Sequence, residues 1–494
     1  MLSLIGYVSM LVILALLLMQ KVSPIVALAG VPIVAALVAG NSPSEVSEFA
    51  LAGITSVASV VVMFVFAIVF FGILRHVGFF DPLIDRIVRL GGSSPKAVAV
   101  ATTLLASVAH LDGAGATTFL ITIPAMLPIY QRLGMSRLIL TACVGLGAGA
   151  MNLLPWGGPT ARAAATVGVE ANEVWTPLIP AQIVGVVAAL GVAWFLGTRE
   201  ARRIARGKPS EFAEAVHGHG SDHTAYTSGT DDGSPRTASA MVDSKHQGTA
   251  VTGASDVGTV GDDDATGDGS AAGDDADGSV VEKDFRNVPL WVNGLILLAT
   301  LAVLMWGIVS PAIAFLVATI IALIINFRGL ENQSRQFDIS AKSAMLMAST
   351  LLAAGVLLGV LDESGMIESM ADSAVRVLPA GIMPILPIVV AILGVPMSLF
   401  FGPDAYYFGV LPVLSAVGAN YGIDPVVLAQ ASIIGQETLG FPISPLTGSF
   451  YLLVGLANVP IGKHILGLFG WAWLVSIIVL AAAIVIGVIP LWVA

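Results

Sequence analysis

The chain has 494 residues, 56% of them hydrophobic and only 11% charged, with 22 Lys and Arg against 33 Asp and Glu for a formal net charge of −11. Soluble domains carry roughly 25% charged residues, so this composition excludes a soluble globular domain and reads as a polytopic membrane protein. The only cysteine, Cys143, falls inside an apolar run, which leaves neither a disulfide framework nor a Cys-ligated metal centre.

The hydropathy pattern predicts spans near residues 2–19, 23–40 and 51–75, a re-entrant hairpin at about 97–130, then spans at 137–168 and 176–198. Each apolar run has about 18 residues or more, long enough to cross a bilayer core as helix. No removable signal peptide is expected, since no basic region precedes the first run and no small-residue cleavage site follows it. The second half repeats the plan with spans near 288–307, 310–327 and 341–361, a hairpin at about 382–418, and spans at 425–457 and 466–492.

Between the halves the composition changes. From Pro209 to Asp284 there are sixteen Asp/Glu against Arg236, Lys245 and Lys283, a net of −13, so the rest of the chain carries −11 + 13 = +2. Too few large apolar residues are present there to offset ordering entropy, which predicts a disordered loop. Its "HGHGSDH" (His217 to His223) reads as solvated linker or as a weak divalent-metal binder. The domains expected are thus a first transmembrane repeat at 1–200, an acidic loop at 201–286 and a second repeat at 287–494.

The halves also resemble each other. At a shift of 287, Gly72, Leu74, Gly78, Asp85, Val88 and Arg89 fall on Gly359, Leu361, Gly365, Asp372, Val375 and Arg376. Pro124 and Gly134 fall on Pro412 and Gly422 at 288, and Pro155 and Thr160 on Pro442 and Thr447 at 287. A nearly constant shift argues for an internal repeat, and five crossings per copy make the second copy inverted. The fold expected is all-α, with two inverted-topology repeats of five spans, one hairpin in each and broken helices at the midplane.

Lys21, Arg75, Arg86, Arg89, Lys96, Arg132, Arg137, Arg199, Arg202, Arg203, Arg206 and Lys208 fall on one side of this topology, and Glu45, Glu48, Glu170 and Glu173 on the other. Arg328, Arg335, Lys342 and Lys463 join the basic side, and Arg376 does not. The positive-inside rule makes the basic side cytoplasmic. Both termini are then outside a cell membrane and the acidic loop is inside.

Ionisable residues at membrane depth are His110, Asp112, Arg162, Asp404 and Glu437, all in hairpin tips or helix breaks. A charge near the bilayer centre costs about 2.5 to 3.5 kcal/mol on insertion scales, so each is expected to face a partner or a wet cavity. Asp112, Asp404 and Glu437 are candidates for proton or metal coupling; Asp112 and Asp404 also read as caps of the turns they occupy. His110 reads as a hydrogen bonder that holds the tip. "NLLPWGGPTAR" (Asn152 to Arg162) and "GFPISPLTG" (Gly440 to Gly448) cannot be continuous helix, and they free backbone groups beside half-helix N-termini, which favour anions. Candidate ligands for a carboxylate there are Gly113, Thr117, Thr118, Asn152, Gly157, Gly158, Thr160, Arg162, Tyr406, Ser444 and Thr447. Arg162 suits two parallel hydrogen bonds to one carboxylate, or it snorkels to the interface.

The stretches "FFGILRHVGFFDPLIDRIVRL", "LDGAGATTFLITIPAMLPIYQRLGMSRLIL", "GAGAMNLLPWGGPTAR", "DAYYFGVLPVL" and "SPLTGSFYLLVGLA" resemble the CitMHS family of citrate–metal–proton symporters. The likeness runs along nearly the whole chain outside the acidic loop. It implies uptake of citrate complexed to a divalent metal, driven by protons, through an elevator-like motion, and it suggests a homodimer. Asp112, Asp404 and Thr117, as hard oxygen ligands, suit Mg²⁺ or Ca²⁺ travelling with citrate, with no tightly bound cofactor. Two departures stand out: Ala114 replaces a second acid at the first tip, and the second break carries Glu437.

The alternatives are a carrier of another anion without metal (a dicarboxylate, a sugar acid or arsenite), a channel, and an intramembrane enzyme. Against the enzyme, the chain has no HExxH pair, no G-x-S-x-G elbow and no Walker loop. No nucleic-acid partner is expected; the partners are a small carboxylate and the lipid bilayer.

Overall fold

Two helices of unusual length set the frame. The computed structural model describes residues 1–19, 22–92, 94–207, 288–307, 309–375 and 380–493, and no strand occurs among them. The acidic segment from residue 208 onward, and Lys21, Lys208 and Arg376 of the charge map, lie outside the described residues.

The first half runs α1 (Leu2–Met19), α2 (Val31–Ala39, after a π turn at Val26–Gly30), α3 (Pro43–His76), α4 (Asp81–Gly91), α5 (Pro95–Ala109), α6 (Gly115–Arg132), α7 (Arg137–Met151), α8 (Gly158–Val167) and α9 (Ile179–Ala205). In the second half come α10 (Leu290–Trp306), α11 (Pro311–Asn326), α12 (Gly329–Glu363), α13 (Met366–Val375), α14 (Leu386–Met397), α15 (Leu411–Ala419, after a π turn at Ala405–Val410), α16 (Pro425–Ile433), α17 (Gly448–Ala457) and α18 (Ile461–Val485). The same succession of long helix, short helix, hairpin pair, split pair and long helix appears in both.

α3 has 34 residues and α12 has 35, so each is about 50 Å long and exceeds a bilayer core. Both start earlier than their apolar runs. Ser42 and Glu45 form a reciprocal capping box with Pro43 in the first turn, which begins α3 at residue 43 rather than 51. The first turns of α12 carry Glu331, Arg335, Asp338 and Lys342, a polar helix that hydropathy does not register. Conversely, α1, α2, α10 and α11 are shorter apolar helices, and among the described residues Pro43–His76, Ala171–Ala205, Gly329–Glu363 and Ile461–Val485 are the stretches individually long and apolar enough to span.

α3 and α12 pack backbone to backbone. A Cβ on Gly53 would fall within contact of the Gly355 carbonyl and 2.7 Å from the Gly359 nitrogen, and one on Gly72 would lie 2.7 Å from Ser340 Oγ. Residue 53 therefore meets 359 while 72 meets 340, so the helices are antiparallel. Adding 287 turns 53 into 340 and 72 into 359, so the two contacts exchange with each other. Small residues permit this approach, which supplies packing where lipid offers no hydrophobic gain.

Pairs and breaks complete the frame. α10 and α11 are joined by a reciprocal amide pair, Asn293 with Asn326 at 3.0 and 2.8 Å, both buried. Trp156, in the break between α7 and α8, packs on Phe71 of α3 (ring centroids 5.3 Å apart) and edge-on to Phe315 of α11 (5.0 Å), which fixes the unwound segment to the long helix.

Gly53→Ala should lower stability by about 2 kcal/mol, because the new methyl meets backbone rather than a movable side chain. Gly191→Ala, where nothing lies within 4 Å, should leave it unchanged or slightly raised. Thermal unfolding of the detergent-purified variants checks this; equal midpoints for Gly53→Ala and wild type would refute the tight contact.

Candidate functional site

At the first tip, His110–Asp112 forms a 3-10 turn after α5, and Gly113 at φ +72° reverses the chain. A side chain at Gly113 would be strained by that φ and would also meet the Trp156 carbonyl at 2.9 Å. Asp112 Oδ1 accepts from the Ala114 N–H at 2.9 Å, while Oδ2 accepts from the Thr117 hydroxyl and from Arg75 Nη1 at 3.3 Å. Asp112 is thus a cap of its own turn and half of an ion pair with the end of α3. Trp156 Nε1 donates to the Leu111 carbonyl at 2.8 Å, which docks the tip on the first break.

His110 begins a chain of bonds across the halves. Its Nε2 lies 3.2 Å from Asn152 Oδ1, and its Nδ1 lies 2.8 Å from Thr118 Oγ1. The Asn152 oxygen can only accept, so Nε2 carries the proton, while the Thr118 hydroxyl is shared between Nδ1 and the Ala114 carbonyl at 2.9 Å. Asn152 Nδ2 then donates to the Glu437 carbonyl at 2.7 Å, in the break between α16 and α17. Phe441 of that break stacks on Phe119 (5.6 Å, 7° between planes), lies 5.7 Å from the His110 ring, and occupies the space that a side chain at Gly115 would need.

The second tip, between α14 and α15, is held by the same break and by α8. Tyr407 hydroxyl donates to the Gln436 carbonyl at 2.7 Å, Gln436 Nε2 donates to the Phe401 carbonyl at 3.2 Å, and Tyr406 hydroxyl lies 3.0 Å from Ser432 Oγ. Arg162 Nε donates to Asp404 Oδ1 at 2.7 Å, Arg162 Nη1 to the Gly158 carbonyl at 3.1 Å, and Thr166 to the Tyr407 carbonyl at 2.8 Å. Arg162 is the buried half of an ion pair between the two halves of the chain, so it does not snorkel.

Glu437 joins the two tips. Its N–H donates to Ser398 Oγ at 3.0 Å and its carbonyl accepts from Asn152, with φ at +54° in a residue only 2% exposed. Thr438 Oγ1 is buried without a hydrogen-bond partner, and the Ser444 hydroxyl lies close enough to the buried Glu437 carboxyl to act on it. Arg162 and Asp404 are close enough for their charges to act on Glu437. Polar side chains this poorly satisfied in a dry setting are costly unless something polar binds there.

The structure therefore brings Thr118, Asn152 and Glu437 into one bonded chain and adds Arg162, Asp404 and Tyr406 through the second tip. Other candidates satisfy their own loops. Thr160 donates to the Leu153 carbonyl at 2.9 Å, Thr447 to the Ser444 carbonyl at 3.0 Å, and the Gly157 N–H to the Leu154 carbonyl at 2.7 Å. Gly158 leaves room for Arg162, whose Nη1 lies 2.9 Å from where a Cβ would be. Asp112 and Asp404 each face a different arginine, and among the described residues no three His, Cys, Asp or Glu side chains cluster as a cation site.

Several functional-looking residues escaped sequence reasoning. Ser398 and Gln436 clamp the second tip, and Arg75, read only as a topology marker, is the partner of Asp112. His464 is buried, with Nε2 donating to the Pro442 carbonyl at 2.8 Å and Nδ1 2.9 Å from Thr141 Oγ1. A lone His in the apolar run "IGKHILGLFGWAW" was the one available signal for it.

Comparison with known proteins matches this arrangement to one group. The CitMHS citrate transporter family model matches residues 4–435. A "Citrate transporter" of Bacillus subtilis (strain 168) is 34% identical over 99% of this chain and 100% of its own length. A "Mg(2+)/citrate complex secondary transporter" of the same organism is 33% identical, again over 99% and 100%. Among solved structures, the Alcanivorax borkumensis YdaH transporter, described as having an unusual topology, aligns with a TM-score of 0.51 at 15% identity over 89% of this chain and 86% of its own, a likeness of fold alone. These relatives are transporters and not enzymes, and with its run of apolar helices this membrane protein belongs to the CitMHS citrate transporter family.

Proposed function

We propose that the chain carries citrate, complexed to Mg²⁺ or Ca²⁺, across the cell membrane in symport with protons. The observation that carries this reading is the meeting of both hairpin tips and both helix breaks around Glu437, beside Arg162, Asp404 and the buried Thr438 and Ser444 hydroxyls. The named substrate of the Mg²⁺/citrate relative supports it. So does the lack of a three-ligand cation cluster among the described residues: a metal arriving with citrate brings most of its own oxygen ligands.

In this reading the Arg162–Asp404 pair is a placeholder. A citrate carboxylate takes over the guanidinium, for which Arg has a matching fork geometry, and the displaced Asp404 turns to the metal. Glu437 exchanges the proton, since its carboxyl sits where the two tips join. Asp112, already bonded to its own turn, acts through the Arg75 pair. Ser444 and Tyr406 lie beside the same break and bind substrate oxygens.

The two repeats are inverted, as the antiparallel Gly53–Gly359 and Gly72–Ser340 contacts support. Tips and breaks move together as an elevator, because polar bonds join them to one another. The basic ends remain cytoplasmic by the positive-inside rule, with the termini outside and the 201–286 loop inside.

Proteoliposomes with an imposed pH gradient should accumulate radiolabelled citrate with Mg²⁺ or Ca²⁺ present and lose uptake in chelator. Equal uptake in chelator refutes metal complexation, and no uptake under any condition refutes citrate; competition by dicarboxylates, sugar acids and arsenite then identifies the anion. Glu437→Gln should keep citrate exchange at equal concentrations but lose accumulation driven by the pH gradient roughly tenfold or more, as expected of a proton-carrying group. Arg162→Lys should raise the KM of exchange roughly tenfold, because the bidentate fork is lost.

A further inference from the structure

The second break is pinned at two carbonyls. Asn152 holds the Glu437 carbonyl near its start, and His464 of α18 holds the Pro442 carbonyl further on, with Nε2 2.8 Å away. The sequence shows why the Pro442 carbonyl needs an outside donor. The segment makes a 3-10 turn at Phe441–Ile443, and in such turns a carbonyl is met by the N–H three residues on. Three residues after Pro442 stands Pro445, which has no N–H to offer. At the repeat shift of 287, Pro445 falls on Gly158 and His464 on Pro177, so the missing donor and the histidine occur together, in the second half alone.

His464 is buried with both ring nitrogens engaged. The Pro442 carbonyl only accepts, so Nε2 carries the proton. Nδ1 lies 2.9 Å from Thr141 Oγ1, a hydroxyl that also stands 3.1 Å from the Leu138 carbonyl. Thr141 begins a face of α7 that continues at Gly145 and Gly149, four residues apart each time. A Cβ at Gly145 would lie 3.0 Å from Pro442 Cβ, and one at Gly149 3.0 Å from the Thr438 carbonyl, so the break lies directly on this face. The imidazole therefore clamps the break to α7 from the α18 side. One residue before Pro442, the Phe441 ring stacks on Phe119 and fills the space beside Gly115 at the first tip. Two residues after it, the Ser444 hydroxyl acts on the Glu437 carboxyl. We propose that His464 is a positioning residue of the transport site: its bond to the Pro442 carbonyl sets Ser444 beside Glu437 and the Phe441 ring against the first tip. That the site so shaped receives citrate rests on the reading above.

Exchange kinetics in proteoliposomes test the role. His464→Ala and His464→Leu, which lack the donor, should raise the KM for metal–citrate about tenfold with kcat within about twofold, the pattern of lost ground-state binding. Leu keeps most of the ring's volume, so a loss of packing alone would spare that variant. His464→Gln brings an amide N–H to the Pro442 carbonyl and should return KM to within about threefold of wild type. A second readout needs no citrate. In a Cys143→Ala, Ser444→Cys chain in nanodiscs, a methanethiosulfonate reagent should label position 444 about tenfold faster with His464→Ala or His464→Leu than with His464 or His464→Gln, as the loss of one buried hydrogen bond allows. A His464→Leu KM equal to that of wild type, or labelling alike in His464→Leu and His464→Gln, overturns the proposal. If labelling follows the donor while wild type transports no citrate with any metal, the citrate reading fails and the positioning role stands.

Discussion

The backbone of Glu437 holds the site together. A non-glycine residue at φ +54° pays a conformational cost of about 1 kcal/mol or more, and here both of its peptide groups are met by side chains from elsewhere. Ser398 from the second hairpin accepts its N–H, and Asn152 from the first break donates to its carbonyl. Each of those partners is itself tied: Ser398 to Gln436 and Asn152 to His110, which in turn meets Thr118 of the first hairpin. Losing any member leaves a buried polar group unpaired, at about 1–3 kcal/mol. The strain at Glu437 persists because the surrounding bonds over-determine it.

That chain is asymmetric although the frame is not. The α3–α12 contacts exchange under a shift of 287, as two equivalent copies require. At the tips the equivalence ends. Asp112 is satisfied within its own turn and by Arg75 of its own half, whereas Asp404 reaches across to Arg162 of the other half. The first tip is docked through Trp156 and Phe441, the second through Tyr406, Tyr407 and Gln436. An asymmetric lining between symmetric supports gives a bound molecule a defined orientation, which two identical tips would not.

Much of this was legible in the sequence because proline, glycine and hydropathy report backbone. The tips at His110–Asp112 and near Asp404, and the break at Asn152–Gly157, lie where Pro155 and the glycines forbid helix, while the second break opens at Ile434, ahead of the Gly440–Gly448 stretch that Pro442 marks. The ends of α3 and α12 were less legible, since their polar first turns are helical through capping and not through apolar content. Partners were the least legible part. Nothing in the spelling of Thr160 or Thr447 distinguishes a hydroxyl turned to its own loop carbonyl from one offered to a ligand, and the choice of Arg75 by Asp112 depends on how α3 lies against the hairpin.

α8 shows how the pieces connect. It has ten residues, about 15 Å of helix, with Arg162 in its second turn and Thr166 and Val167 at its end. Its N-terminus opens beside the Arg162–Asp404 pair, where free N–H groups and the helix dipole favour carboxylate. Its C-terminus, at Thr166 and Val167, lines a cavity that also has Asp362 and Glu363 on its wall. A break that frees both ends of so short a helix thus sets opposite partial charges one short helix apart. The two prolines and paired glycines of "NLLPWGGPTAR" are therefore the source of the electrostatic gradient as well as of the break.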